Sequence, residues 1–233
     1  MPIYALSDEV VFPPVDQAEE GLLAVGGDLR PERLLQAYAE GIFPWPHEGF
    51  PLLWFSPDPR FVLRAEELHV GRSLRKVLRS GRFTVRMDTA FDRVIRACAR
   101  ARDTRGSGTW ITADMIEAYM ELHRLGFAHS VEAWRNGSLA GGLYGVCVGG
   151  CFTGESMFAL QSDASKVAFV WLVGQCRRWR IDLIDCQTES EHMRRFGAQP
   201  MPRSEFVRAL EHSNRLTTHR GAWRFDRDLD VCE

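Results

Sequence analysis

Residues 167–187 read VAFVWLVGQCRRWRIDLIDCQ, and this stretch decides the fold. Its first part is a long, mostly apolar run, so a helix is predicted over 165–179. Its last part, LIDCQ, is a short β-branched and apolar run, predicted as a buried strand over 183–187. A second strand is predicted just upstream at 151–155, CFTGE. Strand, long helix, strand is the pattern of a crossover joining parallel neighbours, because parallel strands cannot be joined by a tight turn. Alternate side chains of a strand share a face, so Leu183, Asp185 and Gln187 are expected to point one way. A buried acid and amide cost free energy unless compensated, and a polar ligand is one candidate for that compensation.

Working outward, residues 82–87 alternate like a strand. Thr89–Ala99 reads as a helix capped by Asp88, and Ala113–Leu125 as a helix capped by Thr112 and stopped at Gly126. His129–Trp134 and Leu139–Val146 read as strands joined by the turn pair Asn136-Gly137. Downstream of LIDCQ, Glu191–Phe196 reads as a short helix closing at Gly197. The order βααβββαβα makes an α+β protein with a mixed sheet, and it resembles the acyltransferase fold best known from the GCN5-related N-acetyltransferases. Ligands of such open sheets favour the crevice beyond the carboxyl ends of parallel strands, where Glu155, Asp185 and Gln187 would meet. Residues 1–62 are rich in Gly, Pro and Trp. They hold one short helix over 31–38, with Pro31 in its first turn and Gly41 beyond its end. They are read as a small amino-terminal α/β module, and 63–233 as the catalytic domain.

The chain has 233 residues, 45% of them hydrophobic, enough for a substantial core. Its amino terminus lacks the basic and apolar segments of an export signal, and the longest apolar run, Val167–Val173, is far short of the ~20 residues that span a bilayer. Six cysteines, at 98, 147, 151, 176, 186 and 232, form no CxxC pair. The reducing cytoplasm is the simplest compartment for them, and a zinc site on Cys147 and Cys151 lacks the paired-ligand spacing. Net charge is −2, yet residues 60–105 carry 12 Arg and one Lys against five acids, a local charge of +8. Arginine's planar fork suits phosphate, so this segment points either to a nucleic-acid partner or to a solvated basic face.

Two motifs are incomplete. GESMF (154–158) begins like a serine-nucleophile elbow, but Phe158 stands where that turn requires glycine. The segment FALQSDASKVAF (158–169) sits where an acetyltransferase carries its glycine-rich coenzyme A loop, and no glycine lies between Gly154 and Gly174. An acyl donor other than coenzyme A is implied, although an acetyltransferase with an atypical loop, or a tRNA-binding protein without catalysis, stays open on the fold order and charge alone.

Several stretches, in order along most of the chain, resemble the leucyl/phenylalanyl-tRNA-protein transferase family. They are GLLAVGGDLRPERLLQAYAEGIFPW (21–45), WFSPDPR (54–60), GTWIT (108–112), HSVEAW (129–134), GGLYGV (141–146), FTGESMF (152–158), ASK (164–166), LIDCQ (183–187), His192 and FGA (196–198). Arg30 departs from the serine helix cap common there, and Ala159 from a small polar residue. The resemblance implies transfer of leucine or phenylalanine from its tRNA to an amino-terminal Arg or Lys of an acceptor protein, marking it for degradation by the N-end rule pathway. The aminoacyl ester is already activated, so no cofactor and no metal is implied. What aminolysis needs is a neutral α-amine, of pKa about 8, held against the ester carbonyl.

On that basis the expected catalytic residues are Asp185, Gln187 and Glu155. Asp185 would receive the amine by charge, Gln187 through its side-chain oxygen, and Glu155 would hold the cationic acceptor. The resemblance also implies an aminoacyl side-chain pocket of Leu143, Phe152, Met157, Phe169, Leu172 and Ile184; each taken singly is equally an ordinary core residue. Met157 suits it best by chemistry, since a thioether adapts to branched and aromatic guests. Trp45 and Trp110, in Pro- and Gly-bounded segments, are expected to stack on the terminal adenosine of the tRNA, with Tyr38 and Tyr119 beside them; a core position for Tyr38 is the equal alternative. Arginines between 64 and 105 are expected to meet acceptor-stem phosphates.

Overall fold

The computed structural model describes residues 4–47, 49–102 and 109–231, the side chain of Arg102 excepted. Arg105 of the basic run, Gly108 of GTWIT and Cys232 lie outside the described residues. Four short strands, β1 (Tyr4–Leu6), β2 (Leu22–Gly26), β3 (Phe43–Pro44) and β4 (Leu53–Phe55), make a small sheet in the order β1-β2-β4-β3, accompanied by helix α1 (Pro31–Ala39). Pro31 opens α1, where its missing N–H costs nothing, and Gly41 turns the chain away at φ +77°.

The larger sheet has seven strands: β5 (Arg60–Arg64), β6 (Thr84–Met87), β7 (Ala128–Arg135), β8 (Ser138–Val148), β9 (Cys151–Ala159), β10 (Leu183–Asp185) and β11 (Gln199–Met201). Their order is β11-β5-β10-β9-β8-β7-β6, antiparallel throughout except for the parallel pair β9 and β10. The crossover between that pair is α5 (Ala164–Arg178), as the apolar run 167–173 requires. Helices α3 (Phe91–Arg102) and α4 (Ala113–Arg124) join β6 to β7, and α2 (Arg72–Arg79), α6 (Glu191–Arg194) and α7 (Arg203–Ser213) complete the chain. The mixed α+β class and the parallel pairing follow the sequence reading. Strands β5 and β11 and helices α2 and α7 are additions to it; Arg-Phe-Val-Leu-Arg of β5 is buried almost throughout and so shows no alternation to read.

Among the described residues the sheet separates two large apolar cores, with a smaller cluster around Val62, Leu183 and Phe206. Leu143, Phe152 and Ile184 lie with α5 on one face; Tyr144, Val146 and Phe158 lie with α1, α3 and α4 on the other. Asn136 and Gly137 both take positive φ, 50° and 74°, which makes the two-residue turn between β7 and β8. One expectation is corrected: Asp88 does not cap α3. Its carboxylate accepts from Ser130 N and Trp223 N and pairs with His129 Nδ1, while the free amides of Thr89 and Ala90 go to buried Glu132. Thr112 caps α4 as expected, accepting from Met115 N at 3.2 Å.

Two irregularities open the sheet where β9 passes β10. Pairing jumps from Tyr144↔Ser156 to Gly145↔Gly154, so Glu155 is an extra residue, a β-bulge in β9. The side-chain parity records it: Phe152 and Phe158 are an even number apart yet occupy opposite cores. Strand β10 meanwhile ends at Asp185, opposite Thr153, while β9 continues to Ala159. Beyond that point β9 has no strand beside it on this side among the described residues, and a cavity fills the gap.

Candidate active site

Gln187 is not part of the strand, contrary to the expectation that it shares a face with Leu183 and Asp185. It has left-handed φ of +63°, a conformation that costs a non-glycine residue of order 1–3 kcal/mol and must be held by its surroundings. Asp185 Oδ1 accepts the Gln187 amide at 2.8 Å, closing a turn two residues long, and Phe61 N donates to the Gln187 carbonyl at 3.2 Å. The turn carries the Gln187 side chain back over the cavity.

The compensation for burying Asp185 is protein, not ligand. Asp185 is 1% exposed, and Arg60 grips it with both prongs, Nε to Oδ1 at 2.8 Å and an Nη to Oδ2 at 2.7 Å. With the Gln187 amide and the Thr153 hydroxyl at 3.4 Å, its oxygens receive four donors, which is what a carboxylate can accept. Both Asp185 oxygens are thus engaged by protein, and of the two carboxylates it is Glu155 whose hydrogen-bond partners are all neutral. Arg60, counted in the basic segment, is buried here and unavailable to phosphate.

Glu155, 4% exposed on its bulge, has three neutral donors. Tyr38 donates to Oε1 at 2.8 Å, Tyr119 to Oε2 at 3.2 Å, and Gln187 Nε2 to Oε1 at 2.8 Å. The two tyrosine hydroxyls also contact each other. Burial pushes the Glu155 carboxyl up to about 7; the hydrogen bonds from Tyr38 and Tyr119 oppose this only in part. Burial, with Glu155 beside them, holds both tyrosines well above 10, so they remain donors. Tyr38 and Tyr119, expected beside the two tryptophans, are 3% and 0% exposed, with their rings packed in the core and their hydroxyls turned to Glu155.

Because a carboxylate only accepts, Gln187 must turn Nε2 toward Glu155, which aims its Oε1 away. No donor among the described residues meets that oxygen. Two cavities share this point. One, of about 500 Å³, is lined by Leu143, Phe152, Met157, Phe169, Leu172 and Ile184 together with Glu155, Gln187 and His192. It holds all six residues of the expected aminoacyl pocket, at a size usual for small-ligand sites. The other, of about 80 Å³, lies between Trp45 and Trp110 and reaches Glu155, Gln187 and Thr188. His192, on α6, is held below its usual range by burial and by Lys166 and Arg195 nearby, so it lines the larger cavity as neutral imidazole. Neither Arg60 nor the hydroxyl roles of the tyrosines could be read from spacing, since these residues come from elements far apart along the chain.

Elsewhere Cys147, Cys151 and Cys176 are buried thiols pushed up by burial. No group of three His, Cys, Asp or Glu among the described residues is placed to hold a metal ion. No helix among them is long and apolar enough to cross a membrane. Within the basic segment Arg64 pairs with Asp182 and Arg96 with Asp92; exposed cations include Arg72, Arg75, Lys76 and Arg79 on α2, Arg86, and Arg93 and Arg100 on α3.

The chain matches the family model described as leucyl/phenylalanyl-tRNA protein transferase over residues 62–211, and that of the family's N-terminal domain over residues 27–58. Similar proteins named leucyl/phenylalanyl-tRNA–protein transferase include one from Myxococcus xanthus, 59% identical over 96% of this chain and 97% of the relative. Others come from an Anaeromyxobacter strain, 57% identical over 97% of each chain, and from Syntrophotalea carbinolica, 58% identical over 91% of this chain and 93% of the relative.

Proposed function

The chain belongs to the leucyl/phenylalanyl-tRNA protein transferase family, and from that premise we propose how its residues carry out the transfer of leucine or phenylalanine from tRNA to a protein amino terminus. The observation that carries the reading is the meeting of an apolar cavity of about 500 Å³ with a slot between two tryptophans at Glu155 and Gln187. The donor's side chain enters the apolar cavity and its terminal adenosine stacks at Trp45 and Trp110, which brings the ester carbonyl to the junction.

The acceptor α-amine places an N–H on Gln187 Oε1, and its lone pair attacks the ester carbonyl carbon. A peptide C–N bond forms, the bond from that carbon to the ribose oxygen breaks, and the ribose oxygen leaves protonated. Glu155, with a carboxyl near 7, is matched to take the proton the amine loses as it attacks and to pass it to the departing ribose oxygen, which regenerates the carboxylate. Asp185 acts through Gln187, not on the amine. The acceptor is a protein with amino-terminal Arg or Lys, whose cation is drawn toward the Glu155 carboxylate, and the modified protein enters degradation by the N-end rule pathway of the cytoplasm. Exposed arginines of α2 and α3 meet the acceptor stem.

The test is to incubate the protein with labelled leucyl-tRNA and a reporter bearing amino-terminal Arg, and to follow label into the reporter. Label is expected in that reporter and not in one beginning with acetylated Arg; absence of transfer overturns the reading. In single-turnover assays Gln187→Ala is expected to slow transfer about 100-fold or more, and a wild-type rate would remove Gln187 from its role.

A further inference from the structure

We infer that Arg60 is a positioning residue of the transfer reaction: through Asp185 it fixes the left-handed turn at Gln187, and so ties the aim of the Gln187 oxygen to the amino-terminal part of the chain. The inference rests on the reading of Gln187 as the group that receives the amine.

The geometry runs in one unbroken line. The Arg60 guanidinium lies between the rings of Phe43 and Phe206, 4.8 Å from each centroid, and donates to the Gly41 carbonyl at 3.1 Å. Phe43 and Gly41 belong to the segment following α1, Phe206 to α7. With Asp185 of β10, three separate parts of the chain thus hold one side chain that is 1% exposed. Its Nε and other Nη take both Asp185 oxygens, and Asp185 Oδ1 in turn holds the Gln187 amide. Gln187 closes the loop, since its Nε2 binds Glu155, which Tyr38 of α1 also holds. The amino-terminal part therefore reaches the reacting centre twice, through Arg60 to the backbone of Gln187 and through Tyr38 to the carboxylate.

A merely structural ion pair would make a different prediction. A buried pair can often be replaced by apolar residues of similar volume without loss of stability, whereas a side chain that aims another group cannot. Lysine keeps the charge but cannot span both carboxylate oxygens and the Gly41 carbonyl in one plane.

The test measures transfer from leucyl-tRNA, with thermal melting in parallel, for wild type, Arg60→Lys, the double variant Arg60→Met with Asp185→Leu, and Arg60→Ala with and without added methylguanidinium. Arg60→Lys is expected to lower kcat about 100-fold, with KM for leucyl-tRNA within about threefold. The double variant is expected to melt near wild type and remain slow, and methylguanidinium to restore Arg60→Ala about tenfold or more. A double variant or Arg60→Lys that turns over within about threefold of wild type overturns the inference. So does a fall in rate that in every variant equals the fall in folded protein. Failure of wild type to transfer label would instead remove the underlying reading, and is seen before any variant is made.

Discussion

Glu155 is a carboxylate that three hydrogen bonds do not fully reconcile to burial, and this gives it a measurable signature. Its carboxyl is raised from an ordinary carboxylate value to about 7, so between about pH 4.5 and 7 the unfolded chain releases a proton that the folded chain keeps. The stability carried by the protonated form is complete below the unfolded value and is lost as pH rises through about 7. Glu155→Gln removes that loss. Relative to wild type, its unfolding free energy is expected to improve by up to about 3 kcal/mol between pH 4.5 and pH 8, read from urea titrations. The rate has its own signature. Wild-type single-turnover transfer is expected to climb through an inflection near 7 that Glu155→Gln lacks, leaving only that of the acceptor amine near 8. A slow variant that kept the lower inflection would assign the proton to another group. Glu155, Asp185 and Gln187 were all legible in the sequence as polar residues at strand ends. Their division of labour was not, because it depends on Arg60 having claimed Asp185.

The bulge in β9 and the early end of β10 are what turn a sheet into a site. Gly145, opposite the bulge, shows how tightly the strands are drawn together: a Cβ there would stand 2.3 Å from the Thr153 carbonyl and 2.5 Å from the Phe152 ring. Gly145→Ala is therefore expected to cost about 2 kcal/mol or more, visible as a melting point lowered by several degrees, and to abolish transfer by displacing the bulge. Gly154, one residue before Glu155, is a contrast. Its added Cβ would meet only the Asp185 carbonyl, at 3.8 Å, yet Gly154 lines the cavity. Gly154→Ala is expected to melt within a few degrees of wild type and to raise KM for leucyl-tRNA by occupying donor space. Equal melting points for the two variants would refute this account of the bulge. The sequence marked β8, β9 and β10 by their apolar runs, but an inserted residue leaves no mark in a segment that is buried on both faces.

At the scale of the molecule, charge is divided by place as well as by sequence. The +8 of residues 60–105 includes Arg60, which is buried; its exposed cations lie on α2, at Arg86 and on α3, and α2 is proposed as the first of these to meet tRNA phosphates. Removing Arg72, Arg75, Lys76 and Arg79 together is expected to reduce the slope of log affinity against log salt by about 0.7–0.9 for each phosphate no longer neutralised, with kcat at saturation little changed. An unaltered slope would place the tRNA on another face. The sequence by itself determined the α+β class and the parallel pair with its crossover helix, because these follow from periodicity and from side chains close along the chain; its family resemblance named the residues of the apolar pocket. Only the tertiary structure decided that Tyr38 and Tyr119 hold a buried carboxylate, that Gln187 leaves its strand, and that Asp185 is gripped by Arg60. Those outcomes depend on which distant donors reach a buried acceptor first, and hydrogen-bond capacity, once filled by Arg60 across 125 residues, is closed to any other partner.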